Sequence, residues 1–275
     1  APGGHPAVMT LSSYLAALAR TQVVLWATVA AVFLNIVVNW ALIFGNWGFP
    51  ELGAQGSAVA TILVQVMSLA ILAVYAGRLP DLRRFHLWQR FWRPDWPAMR
   101  LVWQLGVPIG LTGLAEGGMF NASALMMGWI GTVELAAHGI ALEVAALTFM
   151  LHVGLSSAAT IRIARFDGQG DRVALRHAAA VALVISFGVA VASVILFLAV
   201  PGPIVALFLD LDKPESAAIL AYGVVLLAVA ALFQLADGMQ VMALGLLRGV
   251  QDTRVPLLLA AVSYWLIGIP SRYVL

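Results

Sequence analysis

Residues 178–199 read AAAVALVISFGVAVASVILFLA and contain no charged side chain. About 20 consecutive apolar residues are enough for an α-helix to cross the hydrocarbon core of a bilayer, so this stretch predicts a transmembrane helix. Further stretches of the same character lie at residues 23–44, 56–76, 101–130, 135–163, 217–247 and 255–275. The sequence therefore predicts an all-α fold, a polytopic transmembrane helix bundle of seven spans.

The composition of the whole chain agrees with this prediction. The 275 residues are 62% hydrophobic and 10% charged, whereas soluble domains are roughly half apolar and about a quarter charged. We expect the lipid bilayer to act as the solvent of these apolar side chains. Residues 200–209 are apolar but too short to cross, so we expect them at the membrane interface. Pro108 predicts a kink in the third span.

The basic residues divide the chain and orient it. Most of the 15 basic residues fall in loops on one side of the predicted spans, and residues 77–100 form an arginine- and tryptophan-rich linker. The positive-inside rule places that side in the cytoplasm. Arginine interleaved with tryptophan is also found in nucleic-acid-binding segments. Beside a membrane span, topogenic arginines and interfacial tryptophans are the favoured interpretation, with anionic lipid as the alternative partner, and we expect no nucleic acid.

Several classes of chemistry are excluded by missing residues. The chain has no cysteine, which excludes disulfides and thiolate metal sites. Its single lysine, Lys213, is followed by Pro214, so no phosphate-binding P-loop can be written. No zinc-protease or serine-hydrolase motif is present. We therefore expect neither an enzyme nor an organic cofactor.

Three acidic residues, Glu116, Glu143 and Asp237, lie inside predicted spans. A charged side chain at the centre of a transmembrane helix costs about 2.5–3.5 kcal/mol on the insertion scale, so such residues usually face an interior cavity. Helical spacing places them on faces with other hydrogen-bonding, soft or aromatic side chains: Thr112, Glu116, Met119 and Phe120 on one helix, and Gln234, Asp237 and Gln240 on another. These faces predict a cavity for an organic cation. The alternative is a set of protonated acids that hydrogen-bond between helices.

Smaller signals concern helix packing. Asn35 and Asn39 share a face of the first span, and we expect interhelical hydrogen bonds from them. His138 and His152 are interpreted as packing or interfacial residues. The GxxxG spacings at residues 106–110 and 245–249 predict close helix approach.

Four segments carry a resemblance to a known family. They are NIVVNWALIFGNWGFPELGAQGSAVAT (35–61), LGVPIGLTGLAEGGMF (105–120), AAHGIALEVAALTFMLHVGLSSAATIRIARFDGQGD (136–171) and QLADGMQVMALGLLRGVQDTR (234–254). In order and spacing they resemble the multidrug and toxic compound extrusion (MATE) family, in its NorM-like bacterial branch.

The resemblance implies a two-lobed bundle of twelve helices related by a pseudo-two-fold axis. It implies a multi-pass protein of the bacterial inner membrane that exports small organic cations in exchange for H⁺ or Na⁺, and a monomer when full length. The chain would hold family helices five to eleven. Residues 1–76 would end the amino-terminal lobe, 77–100 would link the lobes, and 101–275 would form a carboxy-terminal lobe whose last helix is truncated.

The resemblance also assigns candidate site residues. The family's carboxy-lobe cation-site acids fall on Glu116 and Asp237, where Na⁺ is the one metal ion to consider. Two positions depart from the family pattern: Phe233 stands where relatives with this site often carry tyrosine, and Glu143 where they commonly carry an amide. The alternatives are a lipid-linked oligosaccharide flippase of the same superfamily and an inert membrane fragment.

Overall fold

A computed structural model describes residues 4–18, 20–48, 50–78, 94–210 and 212–263. The chain forms two compact units, Ala1–Pro94 and Asp95–Leu275. Every helix or strand element among the described residues is helical, which confirms the all-α prediction. Helices satisfy their own backbone hydrogen bonds, as a segment in lipid must. Linker residues 79–93 and the end of the last predicted span, 264–275, lie outside the described residues.

In the amino-terminal unit, three α-helices lie among the residues that the structure describes. They are α1 (Gly4–Ala17), α2 (Thr21–Ile43) and α3 (Gly53–Arg78), with a 3₁₀ turn at Asn46–Gly48. The sequence analysis did not predict α1, because its 14 residues are too few for the span criterion. Its Leu15 is fully buried against Ala27 of α2 and Leu72 of α3.

The interhelical bonds expected from Asn35 and Asn39 stay a prediction, because the bond between these two amides lies within α2. Asn39 Nδ2 donates to Asn35 Oδ1 at 2.9 Å, one turn away on the same helix. The two amides lie on one face, as expected, and this proximity lets them bond each other.

The described residues of the carboxy-terminal unit form four long and two short helices. They are α4 (Trp96–Ile130), α5 (Thr132–Gln169), α6 (Arg172–Ala199), α7 (Pro201–Ala206), α8 (Ser216–Gly249) and α9 (Arg254–Ala260). The Asp95 carboxylate accepts from the Ala98 N–H at 3.3 Å at the start of α4. Helix α5 ends at Gly170, whose φ of 72° is the left-handed geometry that favours glycine.

Five helices are long and apolar enough to cross a membrane, among the residues described: α2, α3, α5, α6 and α8. They coincide with five of the seven predicted spans, and the other two stay predictions. Helix α4 is 35 residues long, which exceeds the length needed to cross a bilayer, and it runs through Pro108. The kink at Pro108 stays a prediction. The seventh predicted span begins as α9, and its remainder falls in residues outside the description.

Helices α5 and α8 form the most extensive helix pair of the unit. Ser156 Oγ donates to the Val241 carbonyl at 2.7 Å, and Thr160 Oγ1 donates to the Gly245 carbonyl at 2.8 Å. A Cβ on Gly249 would meet Ile163 Cγ2 at 2.7 Å. The close approach predicted for residues 245–249 is therefore confirmed.

The close approach predicted for residues 106–110 is not observed among the described residues. A Cβ at Gly106 or Gly110 would meet nothing within 4 Å in the described part of the unit. These two glycines lie at positions of α4 where no described helix approaches, so the spacing alone did not indicate a contact.

Candidate cation-binding site

A cavity of about 460 Å³ lies among α4, α5 and α8 of the carboxy-terminal unit. Its walls are mainly apolar and include three phenylalanines, Phe120, Phe149 and Phe233. Polar groups reach it at a few points, which are Ser123, His138, Glu143, Gln234 and Asp237. An apolar cavity with a few placed polar groups is typical of a small-molecule site.

Phenylalanines on α4 and α8 contact each other across the cavity. The rings of Phe120 and Phe233 meet edge to face, with centroids 6.0 Å apart and an interplanar angle of 85°. Glu116 precedes Phe120 by four residues, and Asp237 follows Phe233 by four. Because the sequence orientation makes α4 and α8 antiparallel, each acid lies about one turn beyond the ring pair in the same direction.

The carboxyls of Glu116 and Asp237 consequently influence each other's charge. The two carboxyls are close enough to interact electrostatically. Arg248, eleven residues further along α8, also acts on Glu116 through its charge. Two carboxyls at one level repel each other when both are ionised, so a cation or a proton between them is stabilised.

The polar side chains at the site differ in how much of their surface is exposed. Asp237 is 7% exposed and Gln234 is 1% exposed, one turn apart on α8. The Gln234 side-chain nitrogen is buried and has no hydrogen-bond partner among the described residues. Glu116 is half-buried, whereas Glu143 is exposed on the α5 wall of the cavity.

The structure brings four of the six predicted residues to the cavity wall: Glu143, Phe233, Gln234 and Asp237. Glu116 and Gln240 are not part of that wall in the described unit. Gln240 is half-buried, although its spacing from Asp237 had suggested a shared face. Glu116 is associated with the cavity through Asp237 and through its neighbour Phe120.

The sequence analysis missed two wall residues of α5, Phe149 and His138. Together with Leu142 and Ala145 they repeat at intervals of three and four residues, which is the spacing of one helical face. That stripe, next to Glu143, was a signal that could have identified them. His138 lines the cavity, so its interpretation as only a packing residue was incomplete.

His152 is a packing residue, as predicted, and it contacts α8 next to Asp237. Its ring is fully buried, and Nδ1 lies 3.0 Å from Ser186 Oγ on α6. The ring also packs against Gly238, where a Cβ would come within 2.6–2.9 Å of its atoms. Because Gly238 adjoins Asp237, this contact fixes the backbone of α8 beside the acid.

Comparison with known proteins identifies the family. The profile of the family described as MatE matches residues 108–274, which is more than half of the chain. The chain belongs to the MatE family. Its membership confirms the resemblance carried by the four motif segments, and with the apolar helices it makes this MatE chain a multi-pass protein of the bacterial inner membrane.

Curated relatives of this MatE chain carry the name NorM. A probable multidrug resistance protein NorM of Rhizobium meliloti is 45% identical over 260 residues, covering 94% of this chain and 56% of the relative. A probable multidrug resistance protein NorM of Agrobacterium fabrum is 42% identical, covering 94% of this chain and 56% of the relative. The multidrug resistance protein NorM of Burkholderia vietnamiensis is 38% identical over 96% of this chain and 56% of its own length. The chain thus spans about half the length of these relatives.

A solved structure confirms the fold. The crystal structure of the eukaryotic MATE transporter AtDTX14 superposes with a TM-score of 0.80 at 19% identity. The superposition covers 98% of this chain and 58% of that transporter. At this identity the likeness concerns the fold, not the activity.

Proposed function

We propose that this MatE chain is part of a secondary active antiporter that exports small organic cations in exchange for an ion. The observation that carries the proposal is the aromatic cavity with Asp237 in its wall and Glu116 within electrostatic reach. An aromatic face attracts a cation through its quadrupole, and a carboxylate attracts it through its charge. The names of the NorM relatives, which concern multidrug resistance, support the same function.

The exchange would follow from competition for the two acids. An organic cation that lies against Phe120 and Phe233 supplies one positive charge and so reduces the repulsion between the two carboxylates. A proton or Na⁺ reduces the same repulsion without filling the cavity, so ion binding favours release of the organic cation. Ligands that bind one conformation better than another shift the population toward it, which couples the ion gradient to export.

The test measures gradient-driven transport in proteoliposomes. The antiporter of which the chain is a part is reconstituted, loaded with tetraphenylphosphonium as the probe cation, and given an inward H⁺ gradient or an inward Na⁺ gradient in separate experiments. We expect efflux with at least one gradient, and we expect Glu116→Gln and Asp237→Asn each to lower its rate at least about tenfold.

The matched control is Asp167→Asn, an exposed acid near the end of α5 that is remote in sequence from the cavity wall. It should keep the rate of the unsubstituted chain. Unchanged efflux in Glu116→Gln and Asp237→Asn would contradict the site assignment. No efflux with either gradient would contradict the proposed function of the chain.

A further inference from the structure

A second cavity lies where α4 begins and α8 ends, and it shares no wall residue with the candidate cation-binding site. Its volume is about 360 Å³. The wall consists of Leu101, Gln104 and Leu105 of α4 and of residues 250–254, which join α8 to α9. The predicted orientation places this end of the helices in the cytoplasm, so the cavity faces the inner leaflet of the membrane.

The surroundings of this cavity have the character of a membrane interface. Trp96 and Trp103, on the first turns of α4, are 71% and 66% exposed. Exposed tryptophan is typical of the level at which lipid headgroups lie. The apolar wall residues Leu101 and Val250 are also exposed, so the edge of the cavity is open to lipid chains.

The cavity wall carries one negative and one positive side chain. Asp252 Oδ1 accepts from the backbone N–H groups of Arg254 and Val255 at 3.2 and 3.3 Å, which holds the carboxylate in the turn. A carboxylate offers about four acceptor positions, so Asp252 can accept further hydrogen bonds from a ligand. The guanidinium of Arg254 is exposed and forms no ion pair with any residue that the structure describes.

A strained residue adds a further polar group to the wall. Gln251 has a φ of 62°, in the left-handed region that favours glycine, and its N–H donates to the Arg248 carbonyl at 3.0 Å. A side chain in this conformation costs free energy relative to glycine, and such strain is concentrated at functional sites. The glutamine brings an amide to the cavity, whose α4 wall carries the amide of Gln104.

We infer that this cavity binds the headgroup of phosphatidylethanolamine from the cytoplasmic leaflet. Arg254 and the amides of Gln104 and Gln251 donate hydrogen bonds to the phosphate, and the ammonium group donates to Asp252. A headgroup with one charge of each sign matches a wall with one charge of each sign. An anionic headgroup lacks the ammonium group, so it leaves the Asp252 carboxylate beside the phosphate without a counter-charge.

The experiment measures lipid retention by native mass spectrometry on the antiporter of which the chain is a part, released from detergent micelles. The micelles contain phosphatidylethanolamine, phosphatidylcholine and phosphatidylglycerol in equal amounts and with the same acyl chains. Phosphatidylcholine has both charges but no N–H on its ammonium group, and phosphatidylglycerol has no ammonium group. We expect phosphatidylethanolamine to be retained at least about tenfold more than either of the other lipids, because only it donates to the carboxylate.

Two variants test the charged pair. Arg254→Gln should lower retention of phosphatidylethanolamine at least about fivefold, because a charge-assisted hydrogen bond to the phosphate is lost. Asp252→Asn keeps an oxygen that can accept from the backbone of the turn but loses the charge, so it should abolish the discrimination against phosphatidylglycerol. The matched control is Arg172→Gln, at an exposed arginine that begins α6, and it should keep both retention and preference.

A third variant separates ligand binding from folding. Gln251→Gly relieves the strain at positive φ, so it should unfold at the same or a higher dodecyl sulfate fraction. Its retention of phosphatidylethanolamine should nevertheless fall at least about threefold, because one donor to the phosphate is lost. Unchanged retention in this variant would contradict the role of Gln251 as a donor.

The remaining outcomes decide whether the ligand is a lipid headgroup. Equal retention of the three lipids, or a preference that survives Arg254→Gln, would overturn the site. Soluble glycerophosphoethanolamine, which has the same charges but no acyl chains, should not displace the lipid at equal concentration. Complete displacement by this soluble compound would overturn the assignment to a lipid.

Discussion

Replacement of Gly245 by alanine tests the helix pair that holds the cavity. A Cβ built on Gly245 meets the Ser156 hydroxyl, the Ser156 carbonyl oxygen at 2.9 Å and Thr160 Oγ1 at 3.0 Å. The hydroxyls could rotate away, but the carbonyl oxygen belongs to the backbone of α5. The methyl group therefore forces α5 and α8 apart.

The magnitude follows from three contributions. Overpacking costs typically 1–3 kcal/mol. Stretching the hydrogen bonds of Ser156 and Thr160 to α8 costs about 0.6 kcal/mol each, the average for interhelical bonds in a membrane protein. The better helix propensity of alanine returns about 1 kcal/mol. We expect Gly245→Ala to lower the free energy of unfolding by about 2 kcal/mol.

Equilibrium unfolding in mixed detergent and dodecyl sulfate micelles, followed by far-ultraviolet circular dichroism, measures this change. Gly154→Ala is the matched control, because Gly154 lies on the exposed face of α5 and a Cβ there meets nothing within 4 Å. It should stabilise the helix by up to about 1 kcal/mol. If Gly245→Ala unfolds at the same dodecyl sulfate fraction as Gly154→Ala, the reasoning from close backbone contact is wrong.

Two further predictions concern the same measurement. Thr160→Val should lower the free energy of unfolding by about 1 kcal/mol, because it loses the interhelical bond to the Gly245 carbonyl. Thr148→Val, the control, loses only a bond to a carbonyl within its own helix and should have little effect. Equal losses of stability in the two variants would contradict the role of the interhelical bond. At the α5–α6 turn, Gly170→Ala should lower the free energy of unfolding by about 1 kcal/mol because of strain at positive φ. Asp171→Ala should lower it by a similar amount because it loses the 2.9 Å cap bond to the Ala174 N–H. Unchanged unfolding in both variants would contradict the stabilising role of this turn.

The helices that the sequence predicted were those with a local signal. Residues 178–199 lie within α6, and residues 217–247 lie within α8, since an uninterrupted apolar stretch must satisfy its backbone internally in lipid. Helix α1 was missed because 14 residues fall below the length of a span. Helix α4 includes the predicted stretch 101–130, so glycine and Pro108 did not prevent its prediction as a helix.

The site was predicted in part for the same reason. Asp237 and Gln234 were found because an acid and an amide one turn apart stand out within an apolar helix. Phe149 was missed because an aromatic residue among apolar neighbours looks the same whether it faces lipid or a cavity. The involvement of His138 was underestimated on similar grounds.

The sequence by itself determined that this chain is a helical membrane protein of the MatE family, and which carboxyls are unusual in it. The tertiary structure decided which of those groups share a cavity and at what depth. Depth depends on the register between helices, and register is set by contacts between residues far apart in sequence: Ser156 and Thr160 against the α8 backbone, and Phe120 against Phe233. Each helix completes its own backbone hydrogen bonds at any register. Only side-chain packing between helices could therefore place Glu143 and Asp237 in the wall of one cavity.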